Sequence, residues 1–207
     1  CSVALAVGQE MLSRRQFAPR GHAQLVLPWI EDMLAESALS FSDIDRLAVG
    51  QGPGGFTSLR IGLGIAQGIA LAHELPVAPV SSLASLAFAA CSGVEPEPVL
   101  ALMDARMGEV FAGWFERDRK HVTRLAPESV LPPDQIGVPM AGQWQLAGSG
   151  LTAYPEIIRQ RLEGQFARWQ PDVFPTAEAV IALAVDVELV PAWQLEPNYV
   201  RDRVTQG

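Results

Sequence analysis

The chain is poor in the residues from which most catalytic and metal sites are built. It holds two cysteines, Cys1 and Cys91, and no Cys-x-x-Cys pair. That argues against a disulfide framework and for a reducing, cytosolic setting, with both thiols inert rather than nucleophilic. Three histidines, His22, His73 and His121, stand far apart. None has a second histidine three to five residues on, the spacing that puts two imidazoles on one helix face for zinc or iron, so no metal is expected. No Gly-x-Ser-x-Gly elbow is present. Basic residues are in deficit, 15 Lys and Arg against 23 Asp and Glu for a net charge of -8. Such a surface has no excess of cations to release counterions from a nucleic acid backbone, so any nucleic acid would be gripped through a partner. No basic segment precedes an apolar one at the start, as a signal peptide would require. The longest apolar run, Phe56 to Leu75, contains Gly64-x-x-x-Gly68 and approaches the length of a membrane helix, but Arg60 and Gln67 interrupt it; a largely buried helix without a membrane role is expected.

What is present describes a globular protein, with 49% hydrophobic and 18% charged residues. Its 207 residues suffice for one large or two small domains with real cores. Ser2 to Val7 and Met11 to Phe17, separated by Gly8-Gln-Glu10, read as a hairpin. A helix follows from about His22 to Ser37, whose apolar residues Leu25, Val26, Leu27, Trp29, Ile30, Met33 and Leu34 spread over roughly 200°, enough to bury two faces. Leu47-Ala-Val49 forms a strand, residues 57 to 74 a second helix, 76 to 80 a strand and 82 to 91 a helix. Ser92-Gly-Val-Glu-Pro-Glu-Pro98 has the composition of a connector, so a boundary is placed near 95, with lobes of residues 1–95 and 96–207. The second half opens with Val99 to Asp104, continues as a meander through 109–116 and 121–125, and carries helices near 155–162 and 176–187. Strands followed by alternating helices and strands in each half predict two α/β lobes with mixed sheets flanked by helices.

Between a strand and a helix lies Gly50-Gln-Gly-Pro-Gly-Gly-Phe-Thr-Ser-Leu-Arg-Ile-Gly62, the setting in which backbone amides bind phosphate. It lacks the means. A Walker A loop needs Lys-Ser/Thr after its last glycine, whereas Gly55 is followed by Phe56-Thr57. A dinucleotide fold needs an acid at the end of the next strand, which here ends in Ser81-Ser82. Gly52, Pro53, Gly54, Gly55, Phe56 and Thr57 therefore read as a structural loop, with Thr57 or Ser58 capping the helix. Asp104-Ala-Arg-Met-Gly-Glu109 is the most acid-bearing turn at a strand end. Asp104, Arg106 and Gly108 could serve a nucleotide or metal, or the Asp and Arg could satisfy the turn itself. Ser81 and Ser82 read as a helix cap. On the second helix, Ile61, Ile65, Ile69 and Ala72 gather on one side, expected to face a sheet. Arg60, Leu63, Gly64, Gln67 and Leu71 gather opposite, a face suited to another chain, and the first helix adds His22, Leu25, Trp29 and Met33.

Four stretches carry a family resemblance: Gly52-Pro-Gly-Gly-Phe-Thr-Ser-Leu-Arg-Ile-Gly62, Pro79-Val-Ser-Ser-Leu-Ala-Ser-Leu-Ala87, Asp104-Ala-Arg-Met-Gly-Glu-Val110 and Pro197-Asn-Tyr-Val-Arg-Asp202, with His22 and Leu27-Pro28 as a weaker fifth. In order and over nearly the whole chain, they resemble the TsaB (YeaZ) family, partner subunits in making the threonylcarbamoyl modification on tRNA. The resemblance implies two RNase H-like lobes of the actin, Hsp70 and sugar kinase class. It implies a protein without catalytic activity or cofactor of its own, similar in fold to the metalloenzyme TsaD. Homodimers, heterodimers with TsaD through helices of the first lobe, assembly with the ATPase TsaE, and tRNA contact only through that complex are expected in turn. It further implies an additional strand and an Asp-Thr-rich turn ahead of the Cys-Ser-Val-Ala-Leu segment. Two other functions compete. An ATP-dependent transferase or kinase of the same fold would use Asp104 and the glycine loop, and a glycoprotease-like metallopeptidase would need the paired histidines that are missing.

Overall fold

Val99, Leu100, Ala101 and Leu102 follow one another without a polar residue, and all four are fully buried. A strand can bury successive residues only when both of its faces are covered. In the computed structural model, which describes residues 1–17, 22–91 and 93–200, this run lies in β5 (Glu97–Arg106), the middle strand of five. β6 (Glu109–Arg117) and β7 (Val122–Leu131) continue as an antiparallel meander on one side. β8 (Trp144–Ala147) and β9 (Phe166–Gln170) lie parallel on the other, giving the order β7-β6-β5-β8-β9. Leu100 and Leu102 join Trp114, Trp144 and Leu146 in a core closed by α5 (Pro155–Arg161) through Ile158. Val99 and Ala101 face the other way, onto α3 (Ser82–Ala90), with Leu83, Leu86, Ala87, Phe115 and Ala147. The two buried indoles keep their N–H groups bonded, Trp114 to the Gly137 carbonyl at 2.7 Å and Trp144 to that of Met140 at 3.3 Å.

The end of β8 runs close to β5. Gly148 has φ +108, and a Cβ there would stand 2.4 Å from the Leu102 carbonyl oxygen, so no other residue fits. The short α4 (Gly150–Ala153) then begins against Leu102.

Contacts divide the chain into two units: residues 1–51, 55–80 and 176–197, and residues 52–54, 81–175 and 198–207. This differs from the division expected near residue 95. Helix α3 belongs to the second unit because its apolar face covers β5, and the chain returns to the first through α6 (Ala177–Leu183). Thr176 starts that helix, its Oγ1 accepting from the Ala179 N–H at 3.2 Å. The first unit holds an antiparallel hairpin of β1 (Ser2–Val7) and β2 (Glu10–Arg15) and a separate pair, β3 (Leu47–Gly52) with β4 (Val77–Ser81). Two helices accompany them, α1 (His22–Glu36) and α2 (Phe56–His73). The expected elements thus form, arranged among the described residues of this unit as two two-stranded sheets.

One polar cluster of the second unit has no sequence signature. Ser81 caps α3, its Oγ accepting from the Leu83 and Ala84 N–H groups at 3.2 Å. The same hydroxyl donates to Glu128 Oε1, and Asn198 Nδ2 donates to Glu128 Oε2 at 3.1 Å. Glu128 is a half-buried residue of the edge strand β7. Burial pushes its carboxyl above the ordinary value, more than the bond from Ser81, the charge of Arg124 and the bond from Asn198 pull it down. An acid whose folded value is raised holds its proton more tightly when folded. Its penalty on the fold is complete above the folded value and is relieved as pH falls through it toward the ordinary 4.5. Glu128→Gln removes this proton uptake. In urea titrations run from neutral pH down to about 4.5, wild type gains stability relative to the variant; a difference independent of pH would contradict the raised value.

Candidate docking site

The glycine loop leads from β3 into α2. Gly52 takes φ +109, a conformation that favours glycine, and the helix starts at Phe56 with Gly55 as its cap residue. The expected side-chain cap from Thr57 or Ser58 is not made: the cap position is held by Gly55, which has no side chain to bond the first-turn amides. A Cβ on Gly54 would meet nothing within 4 Å, and one on Gly55 only Ser58 Oγ at 3.8 Å. Contacts among the described residues therefore do not explain the glycines at 54 and 55. At the first turn the Arg60 guanidinium lies 3.2 Å from the Phe56 ring centre, and Phe56 is 60% exposed.

Which face of α2 is buried corrects the expectation. Leu63, Ala66 and Ala70 enter a core with Leu75, Val77, Ala192 and Leu195. Gln67 lies beside them, and its Nε2 donates to the Ala192 and Leu195 carbonyls at 3.2 and 3.0 Å. Leu63 and Gln67, expected at the surface, are thus committed inside the unit. Ile65 and Ile69, expected to face a sheet, are only half-buried, and Ile61 is 37% exposed. The reason is that from Ile61 to Ala72 every position but Gln67 is apolar or glycine, so the pattern does not fix the rotation; small alanines allow the closest approach and win the buried side.

The exposed side runs through Arg60, Ile61, Gly64, Gly68, Leu71 and Ala72. Leu71 is 58% exposed, and a Cβ on Gly64 or Gly68 would meet nothing within 4 Å. The face is therefore apolar and low in relief, with backbone open to approach by another helix. Arg60, Gly64 and Leu71 stand on it as expected from the sequence. Of the residues expected on α1, Met33 is only 2% exposed and belongs to the core, while Leu25 and Trp29 are half-buried. The expectation for the His22 side chain lies outside the described residues, as do those for Arg201 and Asp202.

The other candidate groups are engaged locally. Asp104 Oδ1 accepts from the Arg106 N–H at 2.9 Å and Oδ2 pairs with Arg106 Nη1 at 3.1 Å, while the Asp104 N–H donates to Ser149 Oγ. Arg106, Met107 and Gly108 take φ of 63°, 54° and 79°, so the carboxylate holds a left-handed turn. His73 stacks on Phe41 with ring centres 4.6 Å apart. Burial, then a hydrogen bond to Glu97 and its charge, push the Cys91 thiol up to about 12, so it is not a nucleophile at neutral pH. Among the described residues, no group of three or more His, Cys, Asp or Glu is placed to hold a metal ion, and no helix is long and apolar enough to cross a membrane.

Comparisons with known proteins converge on one family. A family model described as TsaD, tRNA N6-adenosine threonylcarbamoyltransferase, matches residues 12–166. The tRNA threonylcarbamoyladenosine biosynthesis protein TsaB of Escherichia coli strain K12 is 37% identical over 212 residues, covering 99% of this chain and 91% of that protein. The protein of the same name from Haemophilus influenzae is 34% identical, with 99% and 90% covered. Among solved structures, YeaZ from Pseudomonas aeruginosa matches with a TM-score of 0.88 and 38% identity, over 96% of this chain and 93% of that one. Two α/β units, a mixed five-stranded sheet flanked by helices, and identity sustained along the whole length agree: the chain belongs to the TsaB (YeaZ) family.

Proposed function

We propose that this protein is a non-catalytic partner subunit in the biosynthesis of N6-threonylcarbamoyladenosine in tRNA, working in the cytoplasm. The observation that carries this reading is the match along 99% of the chain to a protein named for that biosynthesis. In this reading a TsaD-like metalloenzyme docks on the exposed side of α2 and the neighbouring surface of α1, and a second copy of the chain competes for the same face. A TsaE-like ATPase joins the assembly, and tRNA is held only through it. Three observations support a docking role. The α2 face is apolar and open along Gly64 and Gly68; patches of this kind mark protein interfaces. The glycine loop offers no lysine to a phosphate. The Asp104 carboxylate is occupied by its own turn. The last two also weigh against a kinase-like transferase, and the scattered histidines weigh against a metallopeptidase.

Leu71→Arg and Ile61→Arg place a charge on the open face without touching the core. Each is expected to weaken capture of a purified TsaD-like enzyme at least tenfold in a binding titration while leaving thermal unfolding unchanged. Retained capture by both variants would place docking elsewhere.

Leu63→Ala probes the opposite side of the same helix. It is expected to cost about 2–5 kcal/mol of stability in urea unfolding, and a loss below about 1 kcal/mol would contradict the buried assignment. Titration calorimetry of the isolated protein with Mg-ATP is expected to give no heat and no hydrolysis. Turnover there would favour the kinase-like alternative.

A further inference from the structure

The face of the five-stranded sheet beneath α3 is dry at one end and polar at the other. Leu83, Leu86 and Ala87 cover Val99, Ala101, Phe115 and Ala147. Strand alternation carries this face onward to Glu97, two residues before Val99, to Arg117, two after Phe115, and to Gln145, two before Ala147. Gln170, the register partner of Ala147, lies on it as well. Four adjacent strands thus contribute polar residues, and β9 contributes two, since Arg168, the register partner of Gln145 and two residues before Gln170, shares this face and its charge acts on Cys91. Glu97 stands directly opposite Arg117, and Gln145 is the diagonal neighbour of Gln170.

Among the described residues, four of these each have a buried atom without a hydrogen-bond partner: Glu97 Oε2, Arg117 Nε, Gln145 Oε1 and Gln170 Nε2. Arg117 and Gln145 are only 7% and 6% exposed. The rest of the Arg117 head is fixed, with Nη1 donating to the Gly93 carbonyl at 3.0 Å and the guanidinium 4.7 Å from the Phe88 ring centre. Orphan atoms of this kind are rare in folded proteins and are normally met by internal water. By strand register they sort into two couples, each of one donor and one acceptor: Arg117 Nε with Glu97 Oε2, and Gln170 Nε2 with Gln145 Oε1.

We propose that this strip is a built hydration site. One buried water accepts from Arg117 Nε and donates to Glu97 Oε2; a second accepts from Gln170 Nε2 and donates to Gln145 Oε1. The chemistry selects water over ions. An anion accepts but cannot donate to Glu97 or to the Gln145 carbonyl. A metal or ammonium cation cannot accept from Arg117 or from the Gln170 amide. The site lies in the second unit and would tie β6 to β5 and β8 to β9 beneath the C-terminal end of α3.

A crystal structure of this protein at about 1.5 Å tests the site directly. The expected result is two ordered oxygen peaks, each about 2.7–3.2 Å from its donor and acceptor. A direct Glu97–Arg117 ion pair with no density between the groups overturns the first bridge, and density that refines as a cation or chloride overturns the choice of water. In solution, the Arg117 Nε–H proton is expected to show a cross-peak to long-lived water. Gln145→Met keeps length and removes the acceptor: it should lose the second peak and retain the Arg117 cross-peak. Retention of both peaks would overturn the second bridge.

Discussion

The rotation of α2 about its own axis decides what the first unit can present to another protein. It is set by one short strip of contact, Leu63, Ala66 and Ala70 pressed into the core, together with the Gln67 amide held by the carbonyls of Ala192 and Leu195. The two alanines leave room for close approach, and the amide supplies the directional element that apolar packing lacks. Turning the helix by half a turn would bury Ile61, Gly68 and Ala72, leave Gln67 in water, and strand two backbone carbonyls. With the rotation fixed, the side made of Ile61, Gly64, Gly68 and Leu71 has no alternative but to face outward.

The second unit is organised by a different constraint. Its central strand carries no polar residue from Val99 to Leu102, so it must be covered above and below. That requirement recruits α3 to one face and α5 to the other, and it brings the end of β8 so near to β5 that glycine is obligatory at 148. The features at its margins serve the same architecture. Asp104 spends its carboxylate on a left-handed turn, and Glu128 joins the cap of α3 to Asn198. Both carboxylates thus hold backbone and side chains in place.

The α/β character, the helix after the glycine loop, the missing phosphate-binding lysine and the family motifs were all legible, because each is local: a period, a spacing or a short string. The capping role of Ser81 was legible for the same reason. Glu128 was not, since an acid in an alternating strand carries no mark, and its partners lie 47 and 70 residues away. The boundary near residue 95 followed a local change of composition. The contacts divide the chain elsewhere because α3 and the returning segment 176–197 sort by what they cover.

The sequence by itself therefore determined the class of fold, the family, and the fact that α2 carries more apolar surface than one side of a helix needs. Only the tertiary structure decided which of those residues are core and which are surface, moving Leu63, Gln67 and Met33 inward and leaving Ile61 and Leu71 outside. The physical reason is that periodicity orients a helix only when its faces differ in polarity. When they do not, side-chain size and one distant pair of carbonyls make the choice, and neither is written in the local pattern.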